Sequence, residues 1–545
     1  MTPSRDRRLG ADGRDVLLAA LLGAVFWALT LLVDGALERP PEPGLEPVGI
    51  AADPHHAHIG AIYGSFAREA AEGGGLRMHN HQTAEPHPPT MARPWDWLVG
   101  RLAPDDGPRG FFRTERAFAL VLVPLGCVLL AGELLRSRAA RWGALVSLLF
   151  GGSLYWIGIL AGPGSWFDAH LATWLRAHGG LSGLGFAMPA LLLGVPHLAL
   201  EVATFAGGLG AALRARRTGR MSWAVAAGAL LLALASVRPY TAPAALLGAA
   251  VALLFGRGRP VRERLLPALV AVGPAVPLLA HYAWVLRGDT IFAALDVVHP
   301  APPLIEQALF FGVPLLLAAA LLLPAVRARL RANGGLPGPA AAGLLAALAA
   351  VLVVVESPLV AWQVEAMLPL PLFAALAGAL AFEGLGPRAR WVGALLLAVH
   401  LVPAGFYGAE VRRKLASPRS SYWILDGERA ALDWLAAARP TDALTADAPP
   451  VVLLTEPTFG RLVPWLAGVR VYAGHADHTV AFGEKERRAR AFFRYGVGAA
   501  ELAPAGVTHV LVSPRLGRLE VDFGALAQLE LVFERGEVRL YAVVG

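Results

Sequence analysis

The chain has 545 residues, of which 56% are hydrophobic and only 16% charged, and its mean hydropathy is +0.52. Soluble domains are apolar in about half of their residues, so this composition excludes an ordinary soluble globular protein and argues for a polytopic membrane protein. The formal net charge of +7 comes mostly from arginines in short loops between apolar runs, a topology signal that argues against nucleic acid as a partner.

In chain order, a basic stretch (residues 1–15) precedes an apolar run from Val16 to Leu32. No clean small-residue cleavage site follows, so the run reads as a retained first transmembrane helix and not as a removed signal peptide. About eleven segments meet the requirement of roughly 20 mainly apolar residues for a span. They cover approximately 16–35, 117–135, 142–160, 184–213, 222–237, 240–256, 265–286, 305–326, 338–355, 366–384 and 390–408. Cys127, the single cysteine, lies in the second of these, so no disulfide or cysteine–metal framework is available. Pro196 should kink or break the long fourth segment.

Arginines fix the orientation. With the basic amino terminus in the cytoplasm, the loops after spans two, four, six, eight and ten should be cytoplasmic as well. They carry Arg136, Arg138 and Arg141; Arg214, Arg216, Arg217 and Arg220; Arg257, Arg259, Arg262 and Arg264; Arg327, Arg329 and Arg331; and Arg388 and Arg390. The opposite loops are poor in such clusters, as the positive-inside rule demands. Three segments are thereby expected outside the cytoplasm: a large first loop (residues 40–116), a second loop with Asp168 and His170, and everything after Glu410. The alanine–leucine–arginine bias suggests a GC-rich bacterial coding sequence, and hence the bacterial cytoplasmic membrane.

The expected organisation is a transmembrane domain over residues 1–410 and a small extracytoplasmic α/β domain over 411–545. In the latter, a helix over 426–437 and another over 485–495 alternate with short apolar strand candidates at 450–454, 469–472 and 508–512. The runs 529–533 and 538–542 pair across Arg535-Gly536 as a hairpin. The overall fold class is mainly α, polytopic and transmembrane.

Polar chemistry collects first in the large loop, in Asp53-Pro54-His55-His56-Ala57-His58. A carboxylate just beyond a first span can act as a general base or hold a divalent cation near a phosphate leaving group, although Asp-Pro is also an ordinary turn starter. His55, His56 and His58, with His79, His81 and His87, put six imidazoles in one loop. Imidazole suits zinc, copper or iron, but the spacing matches no standard zinc pattern, and contacts to a phosphate or sugar are as reasonable. The segment 85–98, rich in proline and tryptophan, reads as an extended return to the membrane with interfacial anchors. Asp168 is a second candidate acid beside His170. Arg238 is a cation at the extracytoplasmic end of a span, suited either to a lipid phosphate or to snorkelling among headgroups. His475 lies in a polar cluster directly after a strand, where α/β domains place ligands.

Together these residues resemble the GT-C membrane glycosyltransferases. Asp53-Pro54-His55-His56-Ala57-His58 is similar to the Asp-Pro-aromatic-aromatic-His motif of oligosaccharyltransferases and to the Asp-x-x-x-His opening of other bacterial members. Pro88-Pro89-Thr90-Met91-Ala92-Arg93-Pro94-Trp95-Asp96-Trp97-Leu98 looks like their proline-rich return segment, and Arg238-Pro239-Tyr240 like the His/Arg-Pro-Tyr that ends a span. His55 and His56 replace the aromatic pair, and no Trp-Trp-Asp signature is present, so the resemblance stops short of transfer to protein asparagine. It implies a polyprenyl-phosphate-linked sugar donor, an extracytoplasmic glycan, lipid or protein acceptor, and membrane lipids as surroundings. Asp53, with Asp168, would be catalytic, and His55, His56, His58, Arg238, His170 and His475 would bind substrate. The metal ligands stay unassigned, and a divalent cation is the one cofactor it admits. A transporter or lipid flippase would instead show ionisable residues at mid-span and two related halves, and a non-catalytic protein of the same fold would keep the architecture without the site.

Overall fold

The computed structural model describes residues 13–48, 54–103, 108–150, 196–255, 260–288, 290–295, 301, 304–336, 338–357, 363–385, 387–417, 423–438, 450–517 and 520–544. The chain forms two compact units. The first comprises Met1–Val33, Glu115–Leu279 and Val298–Arg413, and the second Asp34–Thr114, Ala280–Val297 and Lys414–Gly545.

The first unit is helical. Helices occupy all eleven expected span segments in whole or in part. Among the described residues, five are long and apolar enough to cross a bilayer: Gly13–Ala36, Gly110–Leu134, Pro196–Thr218, Val261–Arg287 and Gly338–Glu356. A sixth candidate, Phe311–Leu322 with Pro324–Ala332, is bent by 83°, as proline at a helix start allows. Met221–Val237, Ala242–Leu254, Leu370–Gly384 and Arg390–Val402 are apolar but shorter. In lipid the hydrophobic effect does not drive helices together, so small residues at close approach do more of that work. Gly248 and Gly343 show this. A Cβ on Gly248 would lie 2.9 Å from the Gly343 carbonyl oxygen, and one on Gly343 would lie 2.8 Å from that of Gly248. Helices Ala242–Leu254 and Gly338–Glu356 therefore pack backbone to backbone.

The second unit mixes helices and sheets. Its centre is a five-stranded sheet of β5 (Val452–Leu454), β6 (Arg470–Val471), β7 (His509–Val512), β8 (Leu529–Arg535) and β9 (Val538–Val543), in the order β6-β5-β7-β9-β8. The first three strands run parallel and the β8–β9 hairpin closes the sheet antiparallel, with a bulge between Leu531 and Phe533. Alternation sets its faces. Val452, Leu454, Val510 and Val512 join one core with Phe492 and Phe493 of helix Phe482–Tyr495. Helix Asp426–Ala438 packs against β8 and β9. These elements lie where the hydrophobic pattern of residues 411–545 puts them.

The first large loop departs from expectation. Its histidine-rich opening is helical, because Pro54–Ala71 forms an 18-residue helix. Ile62, Phe66 and Ala70, four residues apart, make its buried stripe with Met78, and the period of 3.6 places them on one face. Of the short strands, β1 (Leu45–Pro47) pairs antiparallel with β4 (Trp423–Leu425) and β2 (Arg77–Met78) with β3 (Met91–Ala92), and helix Pro94–Leu102 follows β3. The return segment thus reaches a helix. Its Trp95 and Asp96 are buried in protein, where the sequence suggested interfacial anchoring.

Candidate functional site

Side chains from three stretches of the second unit meet around Glu69. This residue sits in the last turn of helix Pro54–Ala71, which ends as Gly74 donates its N–H to the Glu69 carbonyl at 2.8 Å. Gly73 carries the positive φ of 107° that this stop requires. After β2 the chain turns at residues 81–82, with the Gln82 N–H donating to Asn80 Oδ1 at 3.1 Å. His79 and His81 meet Glu69, whereas Asn80 and Gln82 meet residues 461–479.

The two oxygens of Glu69 are divided between the imidazoles. His79 Nδ1 lies 2.8 Å from Oε1, and His81 Nε2 lies 3.0 Å from Oε2, which also accepts the His79 backbone N–H at 3.0 Å. Burial pushes the Glu69 carboxyl up, but the hydrogen bonds from His79 and His81 outweigh it and bring the pKa down to about 2. Glu69 is therefore an anion at neutral pH. The three candidate ligand atoms all lie within 4.8 Å of one another. His87 stacks obliquely on His79, with ring centroids 5.9 Å apart, and its Nε2 accepts the Asn80 backbone N–H at 2.8 Å. Burial above all holds its pKa down, to about 4, although the Glu85 carbonyl opposes this.

Asn80 donates to the His478 carbonyl at 2.8 Å and Gln82 to that of Arg461 at 3.1 Å. Gln82 Oε1 accepts the His475 N–H at 3.0 Å, and its carbonyl accepts the Thr479 hydroxyl at 2.6 Å. Thr83 bridges Ala473 in a single antiparallel pair and bonds Glu85, whose carboxylate meets Lys485 Nζ at 2.5 Å. Residues 79–85 thus act as an added edge to the segment 471–485. His475 is buried here; its Nδ1 accepts the Asp477 N–H at 3.2 Å.

Arg238 belongs to the helical unit. It caps the carboxyl end of helix Met221–Val237, is buried, and its Nε donates to Glu201 Oε2 at 3.0 Å. Its guanidinium lies over the Tyr240 ring, 5.3 Å from the centroid. This is an internal ion pair, not a snorkelling side chain. Asp53, Asp168 and His170 lie outside the described residues, as do the side chains of His55, His56 and His58, which fall in the first turns of helix Pro54–Ala71. Of the expected site residues, the described structure therefore locates Arg238 in one unit and His475 in the other.

Sequence reasoning missed Glu69 and Glu201. Both are single carboxylates inside alanine-rich helical stretches, and each is marked only by what it meets in the fold. For Glu69 the one available signal was an acidic residue ten and twelve positions before a His-x-His pair.

The chain has a fold of the GT-C type. Across 99% of this chain the structure is similar to a cryo-EM structure of the arabinofuranosyltransferase AftD from Mycobacteria, at a TM-score of 0.54 and 15% identity. A class of its R1389S mutant is similar over 98%, at 0.50 and 16%. A crystal structure of ArnT from Cupriavidus metallidurans aligns over 96% of this chain and 97% of its own, at 0.42 and 15%. The chain spans about 40% of the length of AftD. No protein-family model and no curated protein sequence matches the chain. With its long apolar helices, a fold of this type makes the chain an integral membrane protein.

Proposed function

We propose that the protein is a membrane glycosyltransferase that moves a sugar from a polyprenyl-phosphate-linked donor to an extracytoplasmic acceptor. The observation that carries this reading is the fold shared with an arabinofuranosyltransferase over nearly the whole chain. Orientation follows from the arginine pattern: the amino terminus is cytoplasmic, about eleven spans follow, and the first large loop and residues 411–545 face outward as the catalytic side.

In this mechanism Asp53 deprotonates the acceptor hydroxyl or positions a divalent cation. Arg238 holds the donor phosphate, and the polyprenyl phosphate leaves with the bonding electrons as the acceptor oxygen attacks the anomeric carbon. Glu201 fixes the orientation of the Arg238 guanidinium, so that its charge is positioned before the lipid arrives. Asp168 is the second acid, and His55, His56, His58, His170 and His475 contact sugar or phosphate. The donor enters sideways from the bilayer.

The test uses full-length protein in lipid nanodiscs with radiolabelled polyprenyl-phosphate sugars, reading released polyprenyl phosphate. Wild type should consume donor, and Asp53→Asn should slow turnover by about 10²–10⁴-fold, the scale of a lost general base. Equal turnover by the two proteins would remove Asp53 from the chemistry. Failure to bind any such donor would overturn the class of reaction.

A further inference from the structure

We propose that Glu69, His79 and His81 form a binding site for a divalent transition metal of the zinc class, which clamps residues 79–85 onto the end of helix Pro54–Ala71. The proposal uses none of the residues assigned to chemistry above and stands independently of that reading.

The donor set is the first argument. Two imidazoles and one carboxylate, without thiolate, suit borderline divalent ions such as zinc, and zinc sites with three protein ligands leave a fourth position for water. Geometry is the second. The two imidazole nitrogens already point at the two oxygens of one carboxylate, at 2.8 and 3.0 Å, and all three ligand atoms lie within 4.8 Å. Bonds of about 2.0–2.1 Å in tetrahedral geometry separate ligand atoms by about 3.3 Å. The ion fits if the carboxylate backs away by a few tenths of an ångström and the two rings draw in. Each imidazole would then carry its proton on the nitrogen facing away from the ion.

Burial is the third argument. The side chains of Glu69, His79 and His81 are 3%, 17% and 11% exposed, so the ligands are held by the fold and partly shielded from water. Surface histidines that meet a carboxylate by chance lack this support. The neighbouring Arg470 feels the charge of Glu69, but its guanidinium is engaged by the Glu85 carbonyl at 3.2 Å. A clamp here has a physical purpose. The helix end supplies one ligand and the segment after β2 two, and the same segment carries Asn80, Gln82 and Thr83, which join it to residues 461–485.

Full-length protein purified in detergent, stripped with a chelator and titrated with zinc should take up about one equivalent. Cobalt in its place should give the visible d–d bands of a four-coordinate site. His79→Ala/His81→Ala should weaken zinc binding by about 100-fold or more, as ligand loss exceeds the 10–100-fold cost of outer-shell changes, and His87→Ala should leave it unchanged. To separate ligand loss from misfolding, His79→Cys should keep the metal and add a sulfur-to-cobalt charge-transfer band. In wild type, zinc should slow amide exchange in residues 79–85. The proposal is overturned if the wild type takes up no zinc, if the double variant binds zinc as tightly as the wild type, or if His79→Cys shows no sulfur–cobalt band.

Discussion

The two units of the molecule handle buried carboxylates in different ways. In the helical unit three buried ones are matched by arginine. Asp15 meets Arg141 at 2.8 Å, Glu133 meets Arg217 at 2.7 Å, and Glu201 meets Arg238 at 3.0 Å. In the mixed unit Glu428 and Asp96 likewise meet arginines, Arg515 at 2.7 Å and Arg93 at 3.0 Å, but Glu69 is matched by two histidines and the partly exposed Glu85 by a lysine. Arginine stays charged at any accessible pH, so its pairs are permanent fasteners within a low-dielectric bundle. Histidine and lysine can lose their protons, and imidazole can exchange a proton for a metal. The mixed unit thus adds, to arginine pairs of the same kind, a histidine and a lysine pair that can respond to pH.

Breaking the permanent pairs should have the largest effect. Arg238→Ala leaves Glu201 buried without its cation and should lower stability by about 3–5 kcal/mol, measured by denaturant unfolding in detergent. Arg238→Gln with Glu201→Gln should recover most of that loss, because removing both charges also removes the desolvation cost. If the double variant is as unstable as the single, the pair is not the cause.

The mixed unit should show its response as pH dependence. Burial raises the Asp96 pKa from 3.8 to about 6, against the attraction of Arg93. Between those values the unfolded chain gives up its proton while the folded one keeps it, so stability falls as pH rises through this window. The drop is at most about 3 kcal/mol, at 1.36 kcal/mol per unit, and Asp96→Asn should flatten it. The stability of wild type and variant across pH 4–6 decides the point; parallel curves would contradict it.

Glu85 should contribute the smallest effect, and with the opposite sign. Burial pushes its carboxyl up, but the hydrogen bonds from Lys485 and Thr83 leave its pKa below 4.5. Its contribution is therefore complete above 4.5 and is lost as pH falls below that. About a third of its side chain is exposed, so solvent screening keeps the effect small. Lys485 is itself shifted down, because burial outweighs the attraction of Glu85. Lys485→Met should remove the acid-limb slope in a pH titration of unfolding.

Much of the architecture was legible in the sequence, because its signals are local. Apolar runs marked the helices, and the short apolar runs Val451-Val452-Leu453-Leu454 and Thr508-His509-Val510-Leu511-Val512 marked the buried strands. The helix Pro54–Ala71 was hidden by its polar opening: three histidines within five positions read as loop, although Ile62, Phe66 and Ala70 already repeat at helical spacing. Arg141, Arg217 and Arg238 were visible as topology markers or as a lone cation, but their partners were not. Those pairs join residues 126, 84 and 37 positions apart, and only packing selects among so many separations. Glu69 escaped for the same reason. Its role depends on a turn that brings His79 and His81 back onto the helix that carries it.

Under the proposed function, Asp53 carries the proton transfer and Arg238 holds the donor phosphate. Steady-state kinetics of Asp53→Asn and Arg238→Lys with one polyprenyl-phosphate sugar test it most directly. The account predicts that Asp53→Asn lowers kcat with KM nearly unchanged, and that Arg238→Lys raises KM by about 10-fold, the equivalent of one charge-assisted hydrogen bond. An unchanged kcat in Asp53→Asn, or a loss in Arg238→Lys confined to kcat, would contradict it.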